Sequence, residues 1–465
     1  MLSGLTIVYG LTLHGLVTAL ALLAYVIASH VMHQRRHPAA AIAWVLFILL
    51  LPYVALPAFL TFGSRKLARP AKDLSLRPPP PPSTDAGWSE QTLYALGQPA
   101  ALPYHALHVH ADGDAALAAL WSVIDGAQRS LDVCTFILGD DAIGHAAMTH
   151  LAARARAGVR VRLLLDGVGS LMAGRPNLRP LKRAGVELRL FVPPWHSPLK
   201  GRSNLRNHRK LVIADADDGA RLWCGGRNLA REYFIDAPGR PAWHDLTWDL
   251  QGALVRQARA LFQHDWDFAA GRRVPLPPGD RPDVTAPGAR AQIVASGPDQ
   301  VDDTVYSLLV AAAYRAQRRI LLVTPYFVPD AGLLLALQMA ARRGVAVDLV
   351  IPKRSNHAMS DVARARALRA VAIAGGRIWR VPYMLHAKLV VIDDELALAG
   401  SANLDSRSLF LNYELMVAFH APVDIARFAA WAEGERAAAE GYAPRQPGLL
   451  RDIGEGLVLW VGFQL

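Results

Sequence analysis

The sequence predicts an α/β protein in which an N-terminal two-helix transmembrane hairpin is followed by two α/β/α domains related by a pseudo-twofold axis. Three observations lead to this prediction: two long apolar stretches near the N terminus, a proline-rich spacer after them, and a long internal repeat in the remainder of the chain. At 465 residues the chain is also longer than one ordinary hydrophobic core requires, so more than one domain is expected.

The predicted hairpin occupies residues 1–64. Its first apolar stretch runs from Leu2 to Val31 and its second from Ala39 to Phe62. Each exceeds the ~20 residues that a helix needs to cross the hydrocarbon core, and the polar residues between them, with Arg35 and Arg36, place a turn there. A cleaved signal peptide is the alternative, but no basic segment precedes the first stretch, and that stretch is too long for the apolar part of such a peptide.

A spacer over residues 65–105 separates the hairpin from the rest of the chain. Its proline run at 78–82 is typical of a semi-rigid linker. Basic residues after the second apolar stretch outnumber those in the turn, which favours both termini on the cytoplasmic side. These basic residues are Arg65, Lys66, Arg69 and Lys72.

Composition and charge favour an anionic partner and a membrane. The apolar fraction of 52% is high for a purely soluble protein, and 50 lysines and arginines against 39 acidic residues give a net charge of +11. Both nucleic acid and an anionic lipid surface fit this surplus. The two cysteines, Cys134 and Cys224, lie in apolar segments that predict buried strands, which excludes a disulfide framework and disfavours a cysteine metal site.

The remainder of the chain contains two copies of one pattern, in which apolar strands alternate with alanine-rich helices. Residues 127–138 match residues 316–327, and residues 157–166 match residues 343–352. Such alternation is typical of sheets flanked by helices, so each copy predicts one α/β/α domain. The predicted boundaries are 106–273 for the first domain, 274–290 for a linker, 291–440 for the second domain and 441–465 for a C-terminal tail.

The same spacing of polar residues follows the third predicted strand of each copy. Each copy has a His-x-Lys pair, an aspartate further along, and then a glycine-rich segment that ends in asparagine. In the first copy these residues are His208, Lys210, Asp215, Gly225, Gly226 and Asn228, and in the second they are His386, Lys388, Asp393, Gly400, Ser401 and Asn403. One such motif can arise by chance in a chain of this length, whereas two at equivalent places in a repeat indicate function.

This spacing predicts a shared site. Side chains at positions i and i+2 of a strand point to the same face, so the histidine and lysine of each copy lie together. Each copy thus supplies an imidazole, an ammonium group, an amide and exposed backbone donors. Two such half-sites facing each other would enclose one phosphodiester.

The paired motifs resemble those of the phospholipase D superfamily, and further segments narrow the resemblance to the bacterial cardiolipin synthase family. The resemblance covers nearly the whole chain, including the N-terminal apolar stretches. Its main segments are 207–210, 324–329 and 403–414. The first copy departs from the second at Gly226, where the second has Ser401, so the two half-sites need not be equivalent.

The resemblance implies a phosphatidyltransferase that works through a phosphohistidine. One histidine, by analogy His208, attacks the phosphorus of phosphatidylglycerol, and the other protonates the departing glycerol. The second histidine then deprotonates the hydroxyl of another phosphatidylglycerol, whose oxygen displaces the first histidine to give cardiolipin. One phosphodiester is exchanged for another, so no nucleotide is required.

The resemblance also implies which groups surround the phosphate. The expected donors to its non-bridging oxygens are Lys210, Lys388, Asn228, Ser401 and Asn403, so no metal ion or other cofactor is expected. Glu414 would orient one histidine and Asp245 the other. Asp215 and Asp393 belong to the catalytic motif, but they sit at the far ends of their strands and are expected to hold structure rather than touch phosphate.

Several alternatives remain open at this point. Water could attack the same phosphohistidine, which would make the protein a hydrolytic phospholipase D, and phosphatidylethanolamine could replace phosphatidylglycerol. A non-enzymatic membrane scaffold is disfavoured because both motifs are intact. A nuclease is disfavoured by the apolar N terminus and the lack of a clear aromatic and basic groove for a nucleic-acid strand.

The expected partners are phosphatidylglycerol, other anionic phospholipids and the lipid bilayer, without nucleic acid. The resemblance implies a multi-pass protein of the bacterial inner membrane with its catalytic domains on the cytoplasmic side. The sequence does not specify an oligomeric state.

Overall fold

The structure is a computed structural model that describes residues 2–31, 38–62, 86–193, 204–215, 219–272, 288–300 and 302–461. It divides into two compact units. The helical unit comprises Met1–Leu76, Val192–Leu205 and Pro298–Val301, and the sheet unit comprises Arg77–Phe191, Arg206–Gly297 and Asp302–Leu465.

The described residues of the helical unit form α1 (Leu2–Val31), α2 (Pro38–Leu50) and α3 (Pro52–Phe62). They enclose a small apolar core, in which Phe59 packs against Tyr25 and Trp44 at ring-centroid distances of 4.9 and 5.3 Å. The prediction of one continuous helix from 39 to 62 is wrong. Pro52 lacks a backbone N–H and disfavours helical geometry in the residue before it, so α2 ends at Leu50 and α3 begins at Pro52.

No helix within the described residues is both long enough and apolar enough to cross a membrane. The predicted transmembrane hairpin is therefore not shown. The predicted turn at 32–37 and the basic and proline-rich spacer at 65–85 lie outside the described residues.

The sheet unit contains the remaining helices. They are α4 (Trp88–Ala95), α5 (Gly113–Asp125), α6 (Ala142–Arg156), α7 (Gly167–Met172), α8 (Arg179–Arg183), α9 (Leu254–Ala269), α10 (Thr304–Arg315), α11 (Ala331–Arg342), α12 (Ala358–Ile373), α13 (Ser406–Phe410), α14 (Pro422–Ala437) and α15 (Leu449–Val461), with one 3-10 turn at Arg231–Tyr233.

The sheet unit also contains all the strands of the described chain. They are β1 (Leu102–Val109), β2 (Ser130–Thr135), β3 (Arg160–Leu165), β4 (Glu187–Leu190), β5 (Arg206–Asn207), β6 (Leu211–Ala214), β7 (Arg221–Gly225), β8 (Thr247–Gln251), β9 (Ala289–Ser296), β10 (Arg319–Val323), β11 (Phe327–Val328), β12 (Ala346–Pro352), β13 (Arg377–Val381), β14 (Leu389–Ile392), β15 (Leu396–Gly400), β16 (Leu404–Asp405), β17 (Asn412–Phe419) and β18 (Glu440–Gly441).

Apart from the short edge strand β18, the strands of the two repeats follow equivalent orders from the two edges of the main sheet to its centre. From one edge to the other the order is β18, β13, β12, β10, β14, β15, β17, β9, β1, β8, β7, β6, β2, β3, β4. The antiparallel pair β1 and β9 forms the centre, with Tyr104 opposite Ala289. This order confirms the predicted α/β fold with two repeats, and it shows that the repeats share one continuous sheet.

Each repeat buries its own apolar core against this sheet. Leu120, Val133 and Leu163 lie in the core of the first repeat, and Leu308, Leu322 and Leu349 lie in the core of the second. Every residue of β2 is buried, as expected for a strand that is covered by helices on both faces. The domain boundaries given above stay predictions.

The aspartates of the two motifs hold the starts of β2 and β10. The Asp215 carboxylate accepts hydrogen bonds from the backbone N–H groups of residues 128–130 at 2.6–3.1 Å. Asp393 does the same for residues 317–319 at 2.8–2.9 Å. Both aspartates have a positive φ, 45° and 48°, which aspartate tolerates better than most residues.

We expect Asp393→Asn to destabilise the fold without disabling the chemistry. Asparagine tolerates the positive φ but loses the charge that three N–H donors bind, which costs about 1–3 kcal/mol. Burial works to raise the pKa of Asp393, and the backbone donors outweigh it and hold the pKa below its usual range. This stabilisation is therefore present above the pKa of the unfolded aspartate and disappears as the pH falls through the lower folded value.

Thermal unfolding at pH 7 and at acid pH checks this expectation, with Asp215→Asn as the matched variant in the first repeat. The stability difference between wild type and variant should shrink at acid pH. A variant as stable as wild type but more than about 100-fold less active would place the aspartate in the chemistry instead.

Candidate active site

The first histidine of the candidate site is held by the second repeat. β5 pairs in parallel with β17, with Asn207 opposite Tyr413, and the His208 N–H donates to the Tyr413 carbonyl oxygen at 2.9 Å. This pairing places the His208 ring beside Glu414 of β17. Its Nδ1 lies 3.1 Å from the Glu414 carboxylate, which is fully buried.

The second histidine, in turn, is held by the first repeat. The His386 N–H donates to the carbonyl oxygen of His244 at 2.6 Å, and the His244 N–H donates to that of Met384 at 2.9 Å. These bonds bring a segment of the first repeat alongside the second motif. As a result, His386 Nδ1 lies 2.7 Å from the fully buried Asp245 carboxylate. Each histidine is therefore paired with a carboxylate from the opposite repeat.

Two buried lysines complete the charged cluster. Lys210 Nζ donates to the His208 carbonyl oxygen at 2.5 Å, and Lys388 Nζ lies 2.8 Å from Nδ1 and 3.0 Å from Nε2 of His386. Burial lowers the pKa of Lys210 to about 8 and that of Lys388 to about 7. Glu414 and Asp245 both oppose this effect at both lysines, which shows that the two half-sites form one electrostatic cluster.

Burial favours the neutral form of both imidazoles. Burial lowers the pKa of His208, and the Glu414 carboxylate only partly offsets it. Burial and the neighbouring Lys388 ammonium lower the pKa of His386 to about 3, against the pull of Asp245. A neutral imidazole whose Nδ1 is bound by a carboxylate can use its Nε2 as nucleophile or base.

The two carboxylates stay ionised. Burial works to raise the pKa of Glu414 and of Asp245, but the adjacent histidines and lysines hold both values below the usual range. Ionised carboxylates fix the histidine tautomers and can stabilise an imidazolium during the reaction.

The difference between Gly226 and Ser401 reflects two ways of placing a carboxylate. Ser401 Oγ donates to Glu414 Oε2 at 2.5 Å. A Cβ atom on Gly226 would lie 2.2 Å from Asp245 Oδ1, so the carboxylate itself takes the place of a side chain there. The serine hydroxyl that we expected to meet phosphate therefore binds the carboxylate that orients His208.

The two motif asparagines bind neighbouring protein groups. Asn228 Nδ2 donates to the Tyr233 hydroxyl at 2.7 Å, and its Oδ1 accepts from the Ile137 N–H at 3.2 Å. Asn403 Nδ2 donates to Ser408 Oγ at 3.2 Å, whereas its buried Oδ1 has no hydrogen-bond partner in the described part of the chain. The structure thus shows a supporting role for both amides, and their contact with phosphate stays a prediction.

Asp215 and Asp393 lie away from the histidines. Each aspartate is the fifth residue after its motif lysine, and five steps of extended chain correspond to roughly 16 Å. The structure therefore does not bring these two residues into the cluster.

The sequence analysis did not identify Arg209 or the aromatic side chains that lie beside the two histidines. The Arg209 guanidinium is fully buried, binds the Asp265 carboxylate and donates to the Glu414 carbonyl oxygen at 3.0 Å, so it ties α9 to β17. Phe136 lies 5.1 Å from the His208 ring, and Tyr233 and Trp243 lie 5.2 and 5.3 Å from the His386 ring. Arg209 lies between the motif histidine and lysine in sequence. In an extended segment its side chain points to the opposite face from theirs, and this alternation is the signal that could have identified it.

No group of three or more histidine, cysteine, aspartate or glutamate residues in the described ranges could hold a metal ion. The expectation that the chemistry needs no metal stays a prediction.

Comparison with known proteins identifies the family of the chain. The family model described as "Cardiolipin synthase, PLD-like domain" matches residues 120–266 and 309–435, one segment in each repeat. The chain belongs to this family. The "Phospholipase_D-nuclease N-terminal" model also matches residues 19–64.

Two relatives align with most of the length of this chain. Cardiolipin synthase A of Pseudomonas aeruginosa strain LESB58 is 31% identical over 437 residues, which cover 86% of this chain and 85% of the relative. Cardiolipin synthase A of Pseudomonas entomophila strain L48 is 32% identical over 421 residues, which cover 86% and 87%. The chain is therefore a phosphatidyltransferase that acts on phospholipids.

Solved structures support the fold alone. Phosphatidylserine synthase of Haemophilus influenzae Rd KW20 superimposes with a TM-score of 0.60 at 13% identity, covering 81% of this chain and 100% of that one. Polyphosphate kinase of Porphyromonas gingivalis does so with a TM-score of 0.50 at 13% identity, covering 77% and 53%.

The crossed pairing predicts which histidine responds to each carboxylate. Glu414→Gln should disturb the tautomer of His208 and leave that of His386 unchanged, and Asp245→Asn should do the reverse. Each change should lower turnover on the order of 10²–10⁴-fold, because the imidazole loses the group that orients it. ¹⁵N NMR of histidine-labelled enzyme reads the tautomers, and a response of His386 to Glu414→Gln would contradict the pairing.

Proposed function

We propose that the enzyme is a cardiolipin synthase that transfers a phosphatidyl group from one phosphatidylglycerol to another, giving cardiolipin and glycerol through a phosphohistidine. The crossed histidine and carboxylate pairs carry this proposal. They place two imidazoles in one buried cluster with two lysines, so that one imidazole can attack phosphorus while the other, protonated when the phosphodiester is bound, gives its proton to the leaving oxygen, as a double displacement requires.

His208 is the proposed nucleophile. Its side chain is 13% exposed against 5% for His386, and the Lys388 ammonium lies against both ring nitrogens of His386. His208 Nε2 would form a bond to phosphorus while the bond from phosphorus to the glycerol oxygen breaks. The glycerol oxygen would take its proton from His386.

The second displacement restores both histidines. The hydroxyl of another phosphatidylglycerol gives its proton to His386, and its oxygen forms a bond to phosphorus as the bond to His208 breaks. Since the lysine pKa values are lowered toward neutrality, an arriving phosphodiester anion would favour their charged forms and that of His386. Lys210 and Lys388 would then neutralise the non-bridging oxygens, and Asn228 and Asn403 are further candidate donors. Ser401 would join them only by giving up its hydrogen bond to Glu414.

The helical unit is the proposed membrane anchor. Its helices expose apolar side chains such as Leu16 (58%), Leu46 (52%) and Leu50 (72%), which fit a lipid environment better than water. We place the enzyme as a multi-pass protein in the bacterial inner membrane with its active site on the cytoplasmic side. The domain boundaries predicted from the sequence belong to the same proposal.

Purified enzyme given phosphatidylglycerol alone should form cardiolipin and glycerol in equal amounts, and saturating EDTA should leave the rate unchanged because lysines supply the positive charge. Mass spectrometry of the lipids and an enzymatic glycerol assay measure both products. Phosphatidic acid as the main product would mean hydrolysis. Product that forms only after addition of phosphatidylethanolamine would mean another substrate.

Removing either histidine should abolish transfer. His208→Ala and His386→Ala should each lose 10³-fold or more, on the order seen when residues that act as a unit are broken. His145→Ala, which removes an exposed histidine of α6, is the matched control and should keep full activity. Substantial turnover by either site variant would remove that histidine from the mechanism.

A further inference from the structure

The C-terminal helix α15 carries its apolar side chains on its outer face. Leu449, Leu450, Ile453 and Leu457 are 77%, 86%, 49% and 60% exposed. Their spacing places them on one side of the helix. Since these exposures are measured with the rest of the described chain in place, no described part of the protein covers this face.

The inner face of α15 is bound to α12 mainly through charged side chains, with the half-buried Leu459 on the same side. Glu455 is only 2% exposed and lies 2.5 Å from Arg369 Nη2. Arg366 Nη2 donates to the Asp452 carbonyl oxygen at 2.6 Å and lies 2.9 Å from its carboxylate. Gly456 allows this close approach, because a Cβ atom there would lie 3.0 Å from Arg366 Nη2.

This arrangement reverses the usual amphipathic helix, which buries its apolar stripe and exposes its charges. α12 has apolar side chains that could have received such a stripe. Met359, Val362 and Ile373 are 48%, 41% and 69% exposed, and the helical period places them on the face that carries Arg366 and Arg369. Instead, ion pairs fix α15 with its apolar side outward, and the exposed side chains of α12 extend the apolar surface.

We propose that the outer face of α15 inserts into the interface of an anionic phospholipid bilayer. The choice of lipid as the occupant rests on the proposed function, whose substrate lies in a bilayer. At 13 residues α15 is too short to span, which suits a helix that lies in the interfacial plane. The net charge of +11 and the exposed Arg451 (73%) beside the apolar face favour anionic headgroups.

A fluorescent label tests this directly in the full-length enzyme. Cys134 and Cys224 are both buried, so an environment-sensitive nitrobenzoxadiazole label should react with a cysteine introduced by Leu457→Cys. In vesicles of phosphatidylglycerol and phosphatidylcholine the label should emit to the blue and be quenched by brominated acyl chains. Val423→Cys, at an equally exposed apolar position (62%) on α14, is the matched control and should stay unquenched.

A second variant separates lipid insertion from other causes. Adding Leu450→Asp to the labelled Leu457→Cys enzyme should weaken insertion about tenfold, since one buried leucine is lost, and should abolish most of the quenching. Its activity on phosphatidylglycerol in detergent should stay unchanged. The fluorescence needs no turnover, so it reports on α15 even if the enzyme makes another product.

Two results would overturn the proposal. A label at Leu457→Cys that is no more quenched than that at Val423→Cys would show that α15 stays in water. A blue shift that grows with protein concentration, without quenching by lipid, would mean that a second copy of the chain covers the face.

Discussion

The active site depends on an exchange of carboxylates between the two repeats. His208 is bound by Glu414 and His386 by Asp245, so neither repeat contains a complete histidine site. The backbone enforces this exchange, because β5 adds to β17 and the His386 N–H donates to the His244 carbonyl oxygen. The continuous sheet joined at β1 and β9 then fixes the two half-sites relative to each other.

The same exchange explains how four charged groups and two imidazoles share one buried cluster. Burial alone would neutralise the carboxylates and the lysines, and each would then lose its function. Because positive and negative groups lie next to each other, both carboxylates stay ionised. Both lysines keep pKa values near 7 to 8, which an arriving phosphodiester can raise. The pKa values of both histidines are lowered, since burial and the lysines outweigh the carboxylates.

The two half-sites reach this result with different side chains. In one, the longer Glu414 is held by the Ser401 hydroxyl, and in the other the shorter Asp245 fills the space that a side chain at Gly226 would need. Ser401 therefore fits the longer Glu414, and Gly226 fits the shorter Asp245. A swap at one position alone should remove either a hydrogen bond or the space for the carboxylate.

Local pattern was enough to predict the α/β part of the fold and its repeat, and it singled out the residues of the two motifs. The strand period placed each histidine and lysine on one face, and the repeat indicated that both copies belong to one site. The resemblance named Glu414 and Asp245 as the orienting carboxylates, but local pattern could not show which histidine each one binds, because that depends on contacts between residues far apart in sequence. For the same reason the sequence assigned Ser401 and the two asparagines to phosphate, whereas their nearest partners are protein groups.

At the N-terminal and C-terminal helices, hydropathy alone was not enough to predict the structure. Hydropathy alone merged α2 and α3 into one helix, although Pro52 marks the boundary between them. Hydropathy also could not show that the charged side of α15 would face the protein. That orientation follows from Arg366 and Arg369 of α12, which lie more than a helix length away in sequence.

The most direct measurement of this account is the position of phosphorus in the trapped intermediate. Rapid quenching at alkaline pH, followed by ³¹P and ¹⁵N NMR of ¹⁵N-histidine enzyme and by mass spectrometry of its peptides, identifies both the residue and the nitrogen. The account predicts phosphorus on Nε2 of His208, because Glu414 binds Nδ1. Phosphorus on Nδ1, on His386 or on no histidine would contradict it.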